Sequence, residues 1–139
     1  LGYDFKHLGW MRERVQEPQR IGFCFDTCHV TAAGYDMTTR KKAADTLEMF
    51  EVEAGLEHIK VFHFNDSVGK IGSRLDRHAH IGEGECGLSC FDEILEHPSF
   101  DDVPKVLETP KEENEEGELM DLVNIAKLRI MAKSAKKRR

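Results

Sequence analysis

The chain has 139 residues, a formal net charge of −6 and 40% hydrophobic residues, enough to bury the core of one modest domain or of a piece of a larger one. No apolar run approaches the roughly eighteen residues of a membrane span, and the acidic balance excludes a surface broadly coated for nucleic acid, leaving room for a local basic groove only. The chain starts at Leu1 without the basic start, apolar run and small-residue cleavage site of a secretory signal, so an intracellular protein with further sequence before Leu1 is the expectation.

Phe5, Leu8, Met11 and Val15 recur at helical spacing and predict a helix over 1–15; Pro18 then interrupts before "IGFCFDTCH", which reads as a buried strand. Ala43, Ala44, Leu47, Phe50 and Val52 among charges predict a helix from Thr38 to about Glu57, followed by a second strand, "IKVFHFND". After a long polar loop, 90–97 has a helical pattern, and "VPKVLETP" is a third strand stopped by Pro110. The acidic "KEENEEGE" leads to an amphipathic helix from about Leu119 to Met131, so the domain is expected over 1–131. A basic, disordered tail is expected over 132–139, a solvated run with a nuclear signal or non-specific nucleic-acid contact as its other meanings. Helices alternating with apolar strands imply right-handed crossovers and a parallel sheet. Three strands are too few to close a barrel of eight but suit the second half of one.

Side chains at the carboxyl ends of parallel strands are where such sheets place their chemistry. Asp26 ends the first predicted strand, His63 lies near the end of the second and Glu108 ends the third, a mixed nitrogen and oxygen set suited to zinc or manganese. Asp26 and His29 form D-x2-H, and Asp76 and His78 form D-x-H inside the polar loop. That is more ligands than one ion needs, and several ions together are the usual machinery for displacement at phosphorus. The competing reading pairs Asp76 with Arg74 or Arg77 and leaves His78 a surface residue. His7, His58 and His97 read as ordinary surface or packing residues, while His80 could stand behind the ligands or contact a phosphate.

Cys24, Cys28, Cys86 and Cys90 form two C-x3-C pairs, and buried free thiols in a reducing compartment are favoured over a four-cysteine zinc site. "GEGECG" matches G-x-G-x-x-G, but no strand precedes it directly, and Glu83 and Glu85 would repel a pyrophosphate.

"FCFDTCHVTAAGYD" and "HFNDSVGKIGSRLDRHAHIGEGECG", followed by "VLETP", closely resemble the endonuclease IV family of apurinic/apyrimidinic endonucleases, and the resemblance extends from Leu1 to about Met131. It implies the carboxyl-terminal half of a (β/α)8 barrel with three zinc ions at its rim, which in base excision repair cuts the phosphodiester 5′ of an abasic site in duplex DNA. Asp26, His63 and Glu108 would hold one zinc and His29, Asp76 and His78 another; the third zinc of the family has no ligands in these residues beyond that set. One departure is local: Val30, Thr31 and Ala32 stand where the family usually has an aromatic.

The resemblance further implies a zinc-bound hydroxide as nucleophile, with Glu108 both binding metal and orienting it. Lys70, Arg74, Arg77 and His80 are candidate DNA contacts, sequence-independent and salt-sensitive. The full-length enzyme is expected to be a monomer, cytoplasmic in a bacterium or nuclear in a eukaryote, and these 139 residues alone are expected to be inactive. Two rival readings are a barrel-type metal-dependent sugar isomerase or epimerase and a non-catalytic half-barrel that binds zinc or DNA.

Overall fold

In the computed structural model, which describes residues 2–139, Asp4 caps the first helix, its carboxylate accepting from the Lys6 N–H at the head of α1 (Phe5–Glu13). The helix stops short of the predicted Val15, which is exposed. The first strand, β1 (Phe23–Asp26), runs directly into α2 (Thr27–Ala33), and α3 (Arg40–Ala54) follows with Thr39 as its cap. The second strand, β2 (Ile59–His63), ends before the predicted Asp66. The polar loop is not structureless: β3 (Asp66–Ser67) pairs antiparallel with β4 (His78–Ala79) and closes its base. Then come α4 (Gly87–Glu96), β5 (Lys105–Val106) and α5 (Met120–Arg138).

β1, β2 and β5 form one parallel sheet in that order, with Asp26 opposite His63 and His63 opposite Val106. The period-2 alternation of strands assigns the faces. Phe23, Phe25 and Phe62 turn to the helical side, where Phe25 meets Phe50 of α3 and Phe62 meets Phe100. Phe64, just past β2, packs on Phe91 of α4, and these rings are almost fully buried. The opposite face carries Cys24, Asp26, His63 and Val106, and it is open. This explains why Cys24 is exposed although a buried thiol was expected; Cys28, Cys86 and Cys90 are buried, and all four are free thiols. The parallel strands with helices packed on one side agree with the expected portion of a (β/α)8 barrel.

The carboxyl end departs from the expectation of a disordered tail: α5 continues to Arg138. Arg138 pairs with Asp92 and Glu96 of α4, Arg139 pairs with Asp101, and Ala135 is fully buried beneath them. The acidic face of α4 neutralises the basic run, and the apolar contact at Ala135 anchors it. Among the described residues, no helix is long and apolar enough to cross a membrane.

Candidate metal centre

β1 ends at Asp26 because its carboxylate starts the next helix. Oδ1 accepts from the N–H groups of Cys28 (2.9 Å) and His29 (3.1 Å), a cap that leaves Oδ2 turned to the open face. There Oδ2 is 3.5 Å from His63 Nδ1, and that same nitrogen is 2.9 Å from Glu108 Oε2. Asp26, His63 and Glu108 therefore converge as expected from three neighbouring strands, and their donor atoms lie within 4.8 Å of one another. Glu108 sits two residues past the end of β5, which is shorter than predicted. The ladder ends with the Phe64 N–H on the Val106 carbonyl, after which the Glu108 N–H donates to the Asn65 side chain at 2.8 Å.

The loop between β3 and β4 brings the second set. Asp76 Oδ1 is 2.9 Å from His29 Nε2 and 3.3 Å from His78 Nε2, so one carboxylate oxygen joins both imidazoles. Neither Arg74 nor Arg77 pairs with Asp76. His78 Nδ1 is 3.0 Å from the Glu108 carbonyl; a carbonyl can only accept, so Nδ1 carries a proton and Nε2 is the nitrogen left to face the carboxylates. Nε2 is buried and has no hydrogen-bond partner, although Asp76 and Asp26 carboxylate oxygens stand 3.3 and 3.9 Å away. A buried imidazole nitrogen without a hydrogen bond among carboxylate oxygens is what a divalent metal would satisfy, and the all-nitrogen-and-oxygen donor set fits zinc or manganese. Asp26, His29 and His78 also fall within one ligand sphere, so Asp26 stands between the two sets. Cys28, Asp76 and His78 form another close group, but the buried Cys28 thiol is pushed up in pKa by desolvation, which disfavours the thiolate a metal needs.

Two residues without a signal in the ligand pattern hold this geometry. Asn65, fully buried, donates to Asp26 Oδ2 at 3.0 Å and accepts from the Glu108 N–H, so one amide spaces two of the candidate ligands. Asp66, also fully buried, accepts from the N–H groups of Ser67 (2.8 Å), Gly82 (2.9 Å) and Cys86 (2.8 Å) and so ties the two ends of the ligand loop together. Gly84 passes so close that a Cβ there would lie 2.7 Å from Asp66 Oδ1 and against the Ser67 backbone. The only sequence hint is the Asn-Asp pair directly after a strand.

Lys70, Arg74 and Arg77 are exposed on the same loop, and among the described residues none of their side chains is in an ion pair. Arg74 has a positive φ of 58°, with its N–H held by the Ala32 carbonyl at 3.0 Å. With Cys24, Asp26, His29 and Asp76 it borders a cleft of about 700 Å³ that also takes in Phe5, Phe25 and Phe50 and so runs along the free edge of β1. Of the two positions open to His80, behind the ligands or against a phosphate, the buried one is occupied: the residue is 7% exposed, Nε2 meets Glu112 at 2.8 Å and Nδ1 meets Asn124 at 3.0 Å.

The AP endonuclease 2 family model, described as a xylose isomerase-like TIM barrel, matches residues 1–127. The chain belongs to the endonuclease IV family of these barrels. Probable endonuclease 4 of Geotalea daltonii is 45% identical over 96% of this chain, and that of Trichlorobacter lovleyi is 47% identical over 94%. The crystal structure of endonuclease IV from Thermus thermophilus superposes with a TM-score of 0.80 at 34% identity, covering 96% of this chain and 45% of that one. The chain spans about half the length of the curated relatives it matches, 46% in both cases.

Proposed function

We propose that this endonuclease IV chain is the carboxyl-terminal, metal-holding half of a DNA repair enzyme that hydrolyses the phosphodiester 5′ of abasic sites in duplex DNA. The observation that carries the reading is the convergence of Asp26, His63 and Glu108 from three adjacent parallel strands beside His29, Asp76 and His78, with His78 Nε2 buried and unpartnered. Asp26, His63 and Glu108 would hold one zinc and His29, Asp76 and His78 a second. When bound, zinc lowers the pKa of a water to about 7 and neutralises charge on phosphate oxygens.

The chain's own residues do the rest. Asp26 fixes the helix start and the ligand position with one carboxylate. Asn65 sets the Asp26–Glu108 spacing, and the Glu108 carbonyl selects the His78 tautomer. Glu108 is nearly half exposed at the rim, placed to orient a nucleophile, and is our candidate catalytic residue. Arg74, at the cleft, and Lys70 and Arg77, exposed on the same loop, would meet phosphates without reading base sequence. His80, buried against Glu112 and Asn124, would stand behind the ligands instead.

A chimera tests the reading. Residues 1–131 replace the corresponding part of the Thermus thermophilus enzyme, and the product is assayed on a duplex with one abasic analogue. Chelator-sensitive incision 5′ of the lesion, lost in the His78→Ala chimera, is the expected result. A folded, zinc-loaded chimera that leaves the duplex intact would refute it. The 139 residues alone carry ligands for only two of the three zinc ions the resemblance implies, so they are expected to show little or no incision. Robust cleavage by them would overturn that part.

A further inference from the structure

Asn124 lies on α5, far along the chain from every ligand, yet its amide is fully buried behind the metal centre. Oδ1 accepts from the Ile81 N–H at 3.1 Å, and Nδ2 lies 3.0 Å from His80 Nδ1 and 3.2 Å from Thr109 Oγ1. A backbone N–H can only donate, so the oxygen must face Ile81. That orientation turns Nδ2 to His80 and Thr109, and it makes His80 Nδ1 an acceptor with the ring proton on Nε2 toward Glu112.

His80 and Ile81 follow directly after β4, which carries His78, and Thr109 follows Glu108. One side chain from the last helix thus bridges the two segments that carry His78 and Glu108, behind the point where the His78 ring already meets the Glu108 carbonyl. Lys127, one turn along the same helix, donates to the Ile81 carbonyl at 2.5 Å and secures the same segment.

We propose that Asn124 is a positioning residue that holds the His78 and Glu108 segments in register and so sets the geometry of the metal site from the last helix. The proposal rests on the metal-site reading above. It gives the ordered carboxyl-terminal helix a role in function: α5 is the brace that the ligand loop leans on. Partners behind ligands commonly change metal affinity by about 10–100-fold, and a bridge shared by two ligand segments belongs in that range.

Titration of Co2+ into the chelator-stripped 139-residue chain, followed by d–d absorption and thermal melting, provides the test. Asn124→Leu is expected to weaken Co2+ binding by about tenfold or more and to alter the intensity of the d–d bands. Thr109→Val, which removes one end of the bridge, should shift both in the same direction by less. The double variant should be no worse than Asn124→Leu alone, because both remove one connection. Ile94→Val, in the core away from the site, should lower the melting temperature and leave affinity and spectrum unchanged.

Folded Asn124→Leu or Thr109→Val with Co2+ affinity within about twofold of the parent overturns the proposal, as does a loss in all variants that merely tracks melting temperature. If Asn124→Leu fails to fold, Thr109→Val decides. A parent chain that takes up no Co2+ defeats the metal-site reading and this inference together; normal uptake with insensitive variants defeats only the role of Asn124.

Discussion

Replacing Asp66 with alanine should be among the most damaging single changes in the ligand loop. The side chain is fully buried and accepts three backbone N–H groups at 2.8–2.9 Å, two through Oδ1 from Ser67 and Cys86 and one through Oδ2 from Gly82. Alanine leaves these donors without a partner, and each buried unsatisfied group costs about 1–3 kcal/mol. Even with water reaching Gly82, the two remaining donors sum to about 2–6 kcal/mol, a large part of the 5–15 kcal/mol typical of a folded domain. Asp66→Asn keeps an oxygen for Ser67 and Cys86 but faces an amide N–H2 toward the Gly82 N–H, so about 1–3 kcal/mol should be lost. Urea unfolding gives the free energies, and amide exchange at Gly82 and Cys86 localises them. Zinc affinity should fall alongside, since Asp76 and His78 lie between the segments that Asp66 joins. A cost below about 1 kcal/mol for Asp66→Ala, or exchange unchanged at Gly82 and Cys86, would show that the carboxylate does not organise this loop.

Gly84→Ala should destabilise by about 1–3 kcal/mol, as overpacking does, because its Cβ would meet Asp66 and the Ser67 backbone; a melting temperature equal to the parent's would contradict this. Zinc should stabilise the stripped chain, by about 2.7 kcal/mol at a free concentration one hundred times the dissociation constant. Both His63→Ala and His78→Ala should reduce the bound zinc, and unchanged stoichiometry in both would remove the two-site reading. Hydrogen bonds from Arg40 and then Arg138 lower the Glu96 carboxyl to about 2. A depressed carboxylate contributes stability above its unfolded value, lost as pH falls through the folded one. The end of α5 should therefore detach from α4 between about pH 4.5 and 2, and Glu96→Gln should flatten that acid transition seen by exchange near Ala135. For Arg74→Ala, the slope of log affinity for duplex DNA against log salt should shrink by about one; an unchanged slope takes Arg74 out of the interface.

Much of the fold was legible because its signals are local. Phe23, Phe25 and Phe62 alternate with polar or small residues, Pro18 and Pro110 punctuate, and the helices carry apolar residues at their own period. The residues that converge at the candidate site were legible too, since Asp26, His63 and Glu108 sit at or just past strand ends and D-x-H is a short motif. What the sequence hid depends on distant partners. Asp66 and Asn124 look like ordinary loop and surface residues until backbone groups 16 to 43 positions away arrive at their side chains. The basic run at the carboxyl end looks solvated until the acidic face of α4 meets it. Cys24 sits in an apolar run, yet alternation puts it on the open face beside Asp26, and apolar neighbours in sequence do not report which side of a strand is covered.

Zinc-edge X-ray absorption on the zinc-loaded chain, with zinc content measured on the same sample, tests the strand-end ligand assignment most directly. Two zinc ions per chain in a shell of nitrogen and oxygen at about 2.0–2.2 Å is the predicted result. A sulfur shell at about 2.3 Å, or no retained zinc, would contradict it, pointing to the cysteines in the first case and to a centre that holds no metal in the second.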